Sequence, residues 1–337
     1  MINYEVFFDS KNNNHYVKNK NRLLQKNHNI EVPIVNDIPR FSDSDYAGNF
    51  GDQWNDSPED QFDESENEYK KLDRSFTTLQ EVFPIDLAKI KNCSVLEAGS
   101  GNGRFTYVML KNGAKVDSFD ISHAVDAHKK NMIKRKLWNK NLSLAQANIL
   151  NMPYKKMNYD FVVCMHVLQH TPSPEKSIEK LWEMVKPGGC LVIDHYRFIL
   201  KSLYPPIGGF GNLFRHITLF LPYKWQKPFS DSFVKFWFPI HWYFKDSKIM
   251  QQILLRMSPV RFYYPWLGLP DKDTYFRKAL LDTHDGSTDV YHHTRTVKQI
   301  DRVLAELSDI SDYKVFKGGN GVLAWAYKKK NIHFPPR

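Results

Sequence analysis

From residue 92 to residue 195 short β-branched runs alternate with helix-periodic segments, and this alternation restricts the fold more than any other feature of the 337-residue chain. CSVLEA (93–98) reads as a strand, GRFTYVMLKNG (103–113) as a helix closed by Gly113, and AKVDSFDI (114–121) as a second strand. A second helix, HAVDAHKKNMIKRKLW, is followed by LSLAQANI as a third strand and YDFVVCMHVL as a fourth. SPEKSIEKLWEMVKPGG then reads as a helix with Ser173 as its N-cap, Glu175 and Glu179 early and a Lys-Pro-Gly-Gly stop, before GCLVIDHY as the fifth strand. Strands that regularly alternate with helices run parallel with right-handed crossovers, so the expectation is an α/β, doubly wound sheet. Near the end, TRTVKQIDRVLAEL reads as an amphipathic helix, and DYKVFKGGNGVLAWAYKK as two strands around a Gly-Gly-Asn-Gly turn.

Composition excludes several classes and leaves one question. With 42% apolar and 25% charged residues the chain is neither disordered, collagen-like nor mainly coiled coil. Cys93, Cys164 and Cys190 are scattered without C-x-x-C spacing, against a disulfide framework or a thiolate zinc site. The start of the chain lacks an export pattern, and no run approaches the ~18 apolar residues of a membrane span, so a reduced, cytoplasmic, soluble protein is expected. The net charge of +10 is uneven: residues 41–69 carry ten acids and no Lys or Arg, whereas residues 70–337 hold 41 basic against 23 acidic side chains, or +18. Such an excess fits an anionic partner, or simply a Lys-rich drift in composition. Within the acidic stretch Tyr46, Phe50 and Trp54 recur every four residues, which predicts an ordered arm or helix rather than a solvated linker.

The chemistry-bearing residues lie at the ends of the strands. Gly99, Gly101 and Gly103 follow the first strand and open a helix, so backbone N–H groups and a positive helix end face the strand's C-terminal edge. Glu97, two residues earlier, would repel a pyrophosphate and attract an ammonium-bearing ligand. Asp120 at the end of the second strand is placed to accept ribose hydroxyls, and Asn148 after the third to take an adenine amino group.

These segments resemble class I S-adenosylmethionine-dependent methyltransferases, with E-A-G-S-G-N-G as first motif, D-I-S as ribose acid, A-N-I as adenine segment, YDFVVCMHVLQH as fourth strand and V-K-P-G-G before the fifth. The resemblance covers about residues 90–196 and extends to the terminal hairpin. Glu97 and Asn148 each replace a commoner Asp and keep an acceptor. It implies a Rossmann-like class I methyltransferase sheet with an N-terminal arm and an aromatic-rich insertion after strand five, and S-adenosyl-L-methionine as cofactor. The implied cofactor set is Glu97, Gly99, Gly101, Gly103, Asp120 with Ile121, Asn148 with Ile149, and Met165 and His166 at the end of strand four. The implied division is an arm at 1–70, a cofactor-binding core at 71–196, an insertion at 197–290 and a closing helix and hairpin at 291–330.

IPRFSDSDYAGNFGDQW is similar to the segment preceding the domain in bacterial methyltransferases of polysaccharide and specialised-metabolite pathways, where a cysteine-bearing zinc ribbon often stands upstream. Residues 1–38 have no cysteine, so that module is absent or has lost its metal. The likeness implies that Tyr46, Phe50 and Trp54 close over the cofactor and that the acceptor is a small molecule or glycan, with O-methylation. A hydroxyl acceptor calls for a base, and His195 and His293 are the candidates carried forward. Asp285, Asp289 and His292 lack any recognised metal-ligand spacing, and no metal is expected.

Residues 196–266 hold 20 of the 48 aromatic residues, with ten Lys/Arg against two Asp. The stretch is too aromatic for an exposed surface and reads as a lid over an acceptor that favours anionic groups. Two other readings are a packing or dimerising subdomain and a segment in peripheral contact with a membrane. An RNA methyltransferase rests on the +18 alone, without any recognisable RNA-binding appendage, so nucleic acid is disfavoured. A non-catalytic binder that keeps the fold is the remaining alternative; the intact glycine run, Glu97 and Asp120 argue against it. The oligomeric state is left open.

Overall fold

The computed structural model describes residues 3–25, 30–43, 45–56, 58–59, 62, 74–199, 203, 209–262, 269, 271–319 and 321–330. Backbone contacts divide the chain into two units, one of residues 1–197 with 293–337 and one of residues 198–292.

The first unit starts with short strands that no motif announces. β1 (Phe8–Asp9) and β2 (Asn14–His15) pair antiparallel, and β3 (Val17–Asn19), β4 (Arg22–Gln25), β5 (Ile30–Val35) and β6 (Ile38–Pro39) form a four-stranded antiparallel sheet. Asn36 and Asp37 join β5 to β6 with φ of +53° and +58°, the two-residue turn whose backbone twist suits a hairpin. Phe7, Leu23 and Val32 are buried in one apolar cluster with Ala145, Ile149 and Tyr154, so this segment covers the edge of the main sheet. The acidic stretch contributes helix α1 (Gly48–Asp56), as the aromatic spacing predicts, and α2 (Arg74–Val82) follows.

The main sheet is built from β7 (Ser94–Ala98), β8 (Lys115–Asp120), β9 (Leu142–Gln146), β10 (Tyr159–Cys164), β11 (Val185–Tyr196), β12 (Ile310–Gly318) and β13 (Gly321–Lys328). Its order is β12-β13-β11-β10-β7-β8-β9; the neighbours from β11 to β9 are parallel and β13 runs antiparallel to both β11 and β12. The doubly wound expectation and the closing hairpin therefore both hold. The chain steps outward from β7 to β9 and then returns to β10 beside β7, so the sheet switches direction between β7 and β10. Ligands in open α/β sheets bind at such a point, outside the strand C-termini.

Both faces of the sheet are buried, which is why its central strands read as continuous apolar runs. Leu96, Val162 and Ile193 pack with Leu181 of α5 (Pro174–Met184) and with Ile300 and Leu304 of the helix Val297–Ala305. On the other face Val95, Val163 and Val192 pack with Val108 and Met109 of α3 (Arg104–Lys111) and with Leu79 of α2. Helix α4 (Ala124–Lys134) connects β8 to β9.

Of two local expectations, the N-cap at Ser173 holds and the Lys-Pro-Gly-Gly stop is corrected. Ser173 occupies the N-cap of α5, but its hydroxyl makes no cap bond; its carbonyl accepts from the Ser177 N–H at 3.0 Å, and Pro174 starts the helix. The Lys-Pro-Gly-Gly run is not a stop after the helix but the first part of β11, because α5 ends at Met184. A β-carbon at Gly189 would lie 2.7 Å from the Tyr159 carbonyl oxygen, so glycine is what lets β11 run against β10 there.

The second unit is helical: α6 (Gly211–Phe220), α7 (Tyr223–Tyr243), α8 (Lys248–Met257) and α9 (Lys272–Thr288). It has its own core around Val234, Phe238, Phe262 and Tyr275. His241 is buried between Gln251 (2.9 Å) and Ser258 (2.7 Å), and burial lowers its pKa. The expectation that these aromatics avoid the surface fails for several of them, including Phe220, Trp225, Phe236 and Tyr243. Among the described residues no helix is long and apolar enough to cross a membrane.

The helix Val297–Ala305 is capped reciprocally: the Thr296 hydroxyl accepts from the Gln299 N–H and the Gln299 side chain accepts from the Thr296 N–H. Replacing an N-cap hydroxyl costs about 1 kcal/mol. Thr296→Ala should lower the unfolding free energy in urea by about that amount, while Thr296→Asp should keep most of it.

Candidate functional site

The site is assembled around the turn that leaves β7. Gly99, Gly101 and Gly103 have φ of +75°, +51° and +90°, and Gly103 is the N-cap of α3. A side chain at 99 is excluded twice, by this backbone and by Val167, whose methyl would stand 2.2 Å from the added β-carbon. At 101 the same β-carbon would lie 3.2 Å from the indole nitrogen of Trp54. The glycine turn is thus packed closely between Val167, just after β10, and Trp54 of the arm helix.

Asp120, at the end of β8, ties the turn in place. Its Oδ2 accepts from the Gly101 N–H at 2.9 Å, and its Oδ1 accepts from the Ser122 N–H (2.8 Å) and hydroxyl (2.7 Å). Burial raises the carboxyl's pKa, and these bonds offset only part of the rise. Three of about four lone-pair positions are filled, which leaves Oδ2 able to accept one further hydrogen bond.

Glu97 is placed differently from the free carboxylate that its position suggests. It is buried, and Oε2 accepts from the hydroxyls of Thr106 and Ser118, the latter at 3.0 Å. Burial pushes its pKa up to about 7 against those two bonds. Near neutrality it is only partly charged, a weaker attractor for an ammonium than an exposed acid.

The arm lies along this edge through side chains that its sequence did not single out. A β-carbon at Gly51 would meet the His123 ring at 2.5 Å, and Asn55 donates to the carbonyl of His123 at 3.0 Å. The Pro58 carbonyl is held by Asn102 (3.2 Å) and Asn131 (2.6 Å), and Arg135 lies over the buried Phe62 ring at 3.8 Å. Phe50 contacts His170 with ring centroids 5.0 Å apart, Trp54 stands beside Gly101, and Tyr46 is half-buried. His128 lies beneath the turn without any motif to mark it: its Nδ1 pairs with the Ser100 hydroxyl at 3.0 Å, and burial drives its pKa down to about 3, so it stays neutral.

At the third strand, Ile121 is half-buried and its carbonyl accepts from Gln146 at 3.0 Å. Asn148 uses its side-chain oxygen to accept from the Leu150 N–H at 2.8 Å, which leaves one lone pair for a ligand, and Ile149 is buried in the core.

At the fourth strand Met165 is buried, and His166 adopts φ +62°. This turn brings both the His166 N–H and its Nδ1 within 2.5 Å of the buried Asp194 carboxylate on β11. Burial would raise the Asp194 pKa, but the His166 charge and hydrogen bonds hold it below the usual carboxylate value. The His166 side chain remains 41% exposed. No spacing rule links residues 166 and 194; only the parallel pairing of β10 with β11 does.

His195, next along β11, points to the opposite face by strand alternation. Its Nδ1 bonds the Tyr196 carbonyl at 3.0 Å, its Nε2 has no hydrogen-bond partner, and burial lowers its pKa to about 4. Gln169 is fully buried, with both amide atoms lacking partners, and its carbonyl accepts from the His293 N–H at 3.0 Å. The structure therefore brings His195 and His293 to the ends of β10 and β11, and strand alternation turns the His195 side chain away from the His166–Asp194 pair. In the second unit the His292 Nδ1 lies 2.9 Å from Asp289. Among the described residues no group of three His, Cys, Asp or Glu is arranged to hold a metal ion.

Residues 96–193 match the family described as "Methyltransferase domain". The ubiquinone biosynthesis O-methyltransferase of Coxiella burnetii is 30% identical over 120 residues, covering 35% of this chain and 50% of the relative. The enzyme of the same name from Azoarcus is 31% identical over 124 residues, covering 34% and 52%. The chain spans about half the length of these curated relatives. Among solved structures, a putative S-adenosyl-L-methionine-dependent methyltransferase from Methanococcus maripaludis is 14% identical, covering 87% of this chain and 98% of its own, with a TM-score of 0.45. Magnesium protoporphyrin IX methyltransferase from Synechocystis, with bound SAH, is 12% identical over 84% and 97%, with a TM-score of 0.45. With its strand order and glycine turn, this chain carries a class I S-adenosylmethionine-dependent methyltransferase domain.

The Glu97 environment predicts a pH signature. A folded-state pKa of about 7 against 4.5 means that the stabilisation held by the protonated form is complete below about pH 4.5 and is lost as pH rises through about 7. That window is worth roughly 3 kcal/mol. In urea unfolding across pH 4.5–8, Glu97→Gln should gain stability relative to the parent as pH rises; a difference independent of pH would contradict this.

Proposed function

We propose that this chain transfers a methyl group from S-adenosylmethionine to a hydroxyl of a polar small molecule or sugar-type acceptor. The observation that carries the hydroxyl reading is the His166–Asp194 pair at the strand edge. In the neutral ring an ionised, buried carboxylate on Nδ1 holds the remaining ring proton there and leaves Nε2 as the acceptor atom, the arrangement a general base needs.

The residues present fit the cofactor. The glycines at 99 and 101 let the turn's backbone run close against Val167 and Trp54, and Asp120 Oδ2 keeps one acceptor position for a ribose hydroxyl. Asn148 retains a lone pair for an adenine amino group, and Trp54 covers the turn from the arm side. When bound, S-adenosylmethionine supplies a methyl group already activated by its sulfonium. The protein's tasks are then to align the acceptor oxygen, exclude water and take one proton. His166 Nε2 takes the hydroxyl proton, and Asp194 stabilises the imidazolium that results.

His195 is a weaker choice as base, since a pKa of about 4 gives little driving force for proton abstraction near neutrality.

Two measurements test this reading. By calorimetry, Asp120→Ala should weaken S-adenosylmethionine binding by about 1–3 kcal/mol, the scale of hydrogen bonds to a charged group. On a hydroxyl acceptor found by screening with methyl-labelled cofactor, His166→Gln should cut turnover ~10²-fold at unchanged cofactor affinity. Full turnover in that variant with loss in His195→Gln would move the base to His195.

A further inference from the structure

Three helices of the second unit present their apolar stripes outward. In water an amphipathic helix buries its apolar face. Here α7 turns Gln226, Ser230 and His241 inward beside Val234 and Phe238, and leaves Trp225, Phe236 and Tyr243 exposed. Those three are spaced by 11 and 7 residues, about three and two helical turns, and so share one face. On α6 the exposed positions Leu213, Ile217 and Phe220 follow helical spacing, and on α8 Ile249, Ile253 and Met257 do the same. Exposure reaches 90% at Phe220, 81% at Tyr243, 75% at Ile249 and 66% at Phe236.

Basic residues flank the stripes. Lys224 and Lys235 on α7, and Lys248 and Arg256 on α8, are exposed, while Asp231, which pairs with Lys227, and Asp246 are the only acids between residues 211 and 257. Trp and Tyr prefer the boundary between apolar and aqueous phases, and exposed Lys beside them is attracted to anionic headgroups. A second copy of the chain would set seven basic side chains against seven, with two acids on each side to offset them.

We infer that the exposed faces of α6, α7 and α8 bind the surface of an anionic lipid bilayer, with the aromatic and aliphatic side chains entering the headgroup layer and the lysines pairing with lipid phosphates. No helix need cross the bilayer for this, and the inference is independent of the methyl-transfer reading.

The test is flotation of the full chain with vesicles at physiological salt. It should float with equimolar phosphatidylglycerol and phosphatidylcholine and remain below with phosphatidylcholine alone. Trp225→Ser/Phe236→Ser/Tyr243→Ser should reduce partitioning by at least ~10-fold, since each replaces an exposed apolar side chain that drives interfacial insertion. Lys224→Gln/Lys235→Gln/Lys248→Gln should reduce it and weaken its salt dependence. Unchanged circular dichroism and urea midpoint show that each variant is folded. Absence of binding to the anionic vesicles, or full binding by the aromatic variant, overturns the inference. So does a lipid-free dimer that the aromatic variant dissolves, which would assign the surface to a second copy.

Discussion

The Asp120 carboxylate is the joint on which the cofactor edge depends. By accepting from the Gly101 N–H it pins a glycine turn leaving β7 to the end of β8, and by accepting twice from Ser122 it fixes the chain entering α4. The arm meets both ends of that link, with Trp54 against Gly101 and Gly51 and Asn55 against His123. Removing the carboxylate would release the turn, the start of α4 and the footing of the arm together. Its burial cost, seen in its raised pKa, is borne for that reason and for the one acceptor position that it keeps.

The neighbouring acids are used in other ways, and burial decides which. Glu97 sits under two hydroxyls without a cation and is driven toward neutrality, whereas Asp194 meets His166 and stays ionised. Two carboxyl groups on adjacent parts of one sheet edge are thus held in opposite protonation tendencies near pH 7. A neutral acid suits the packing beneath the turn, and an ionised one suits orientation of an imidazole.

Much of this was legible from residue order because period and punctuation carry the main sheet. The β-branched runs at 93–98, 115–120 and 159–164 and the Gly-Gly-Asn-Gly turn report local backbone preferences that the tertiary structure does not override. The glycine turn and Asp120 were legible for the same reason, each following a strand end. What was not legible depends on contacts between distant residues. The small sheet at 17–39 has strands of two to six residues, joined at one turn by Asn-Asp rather than Asn-Gly. Helix α7 runs through Pro228 and Pro239, which normally argue against a helix interior. The His128–Ser100 and His166–Asp194 pairs are set by strand and helix neighbours 28 residues apart. Aromatic content in the second unit suggested burial, but composition alone does not say which face of a helix looks inward.

If the glycine turn and Asp120 seat a nucleoside-bearing cofactor, a crystal structure of the full chain with S-adenosylhomocysteine will show a ribose hydroxyl on Asp120 Oδ2 and the ligand bounded by the Gly99–Gly103 turn and Trp54. A ligand bound elsewhere, or no binding at millimolar concentration, would contradict this assignment.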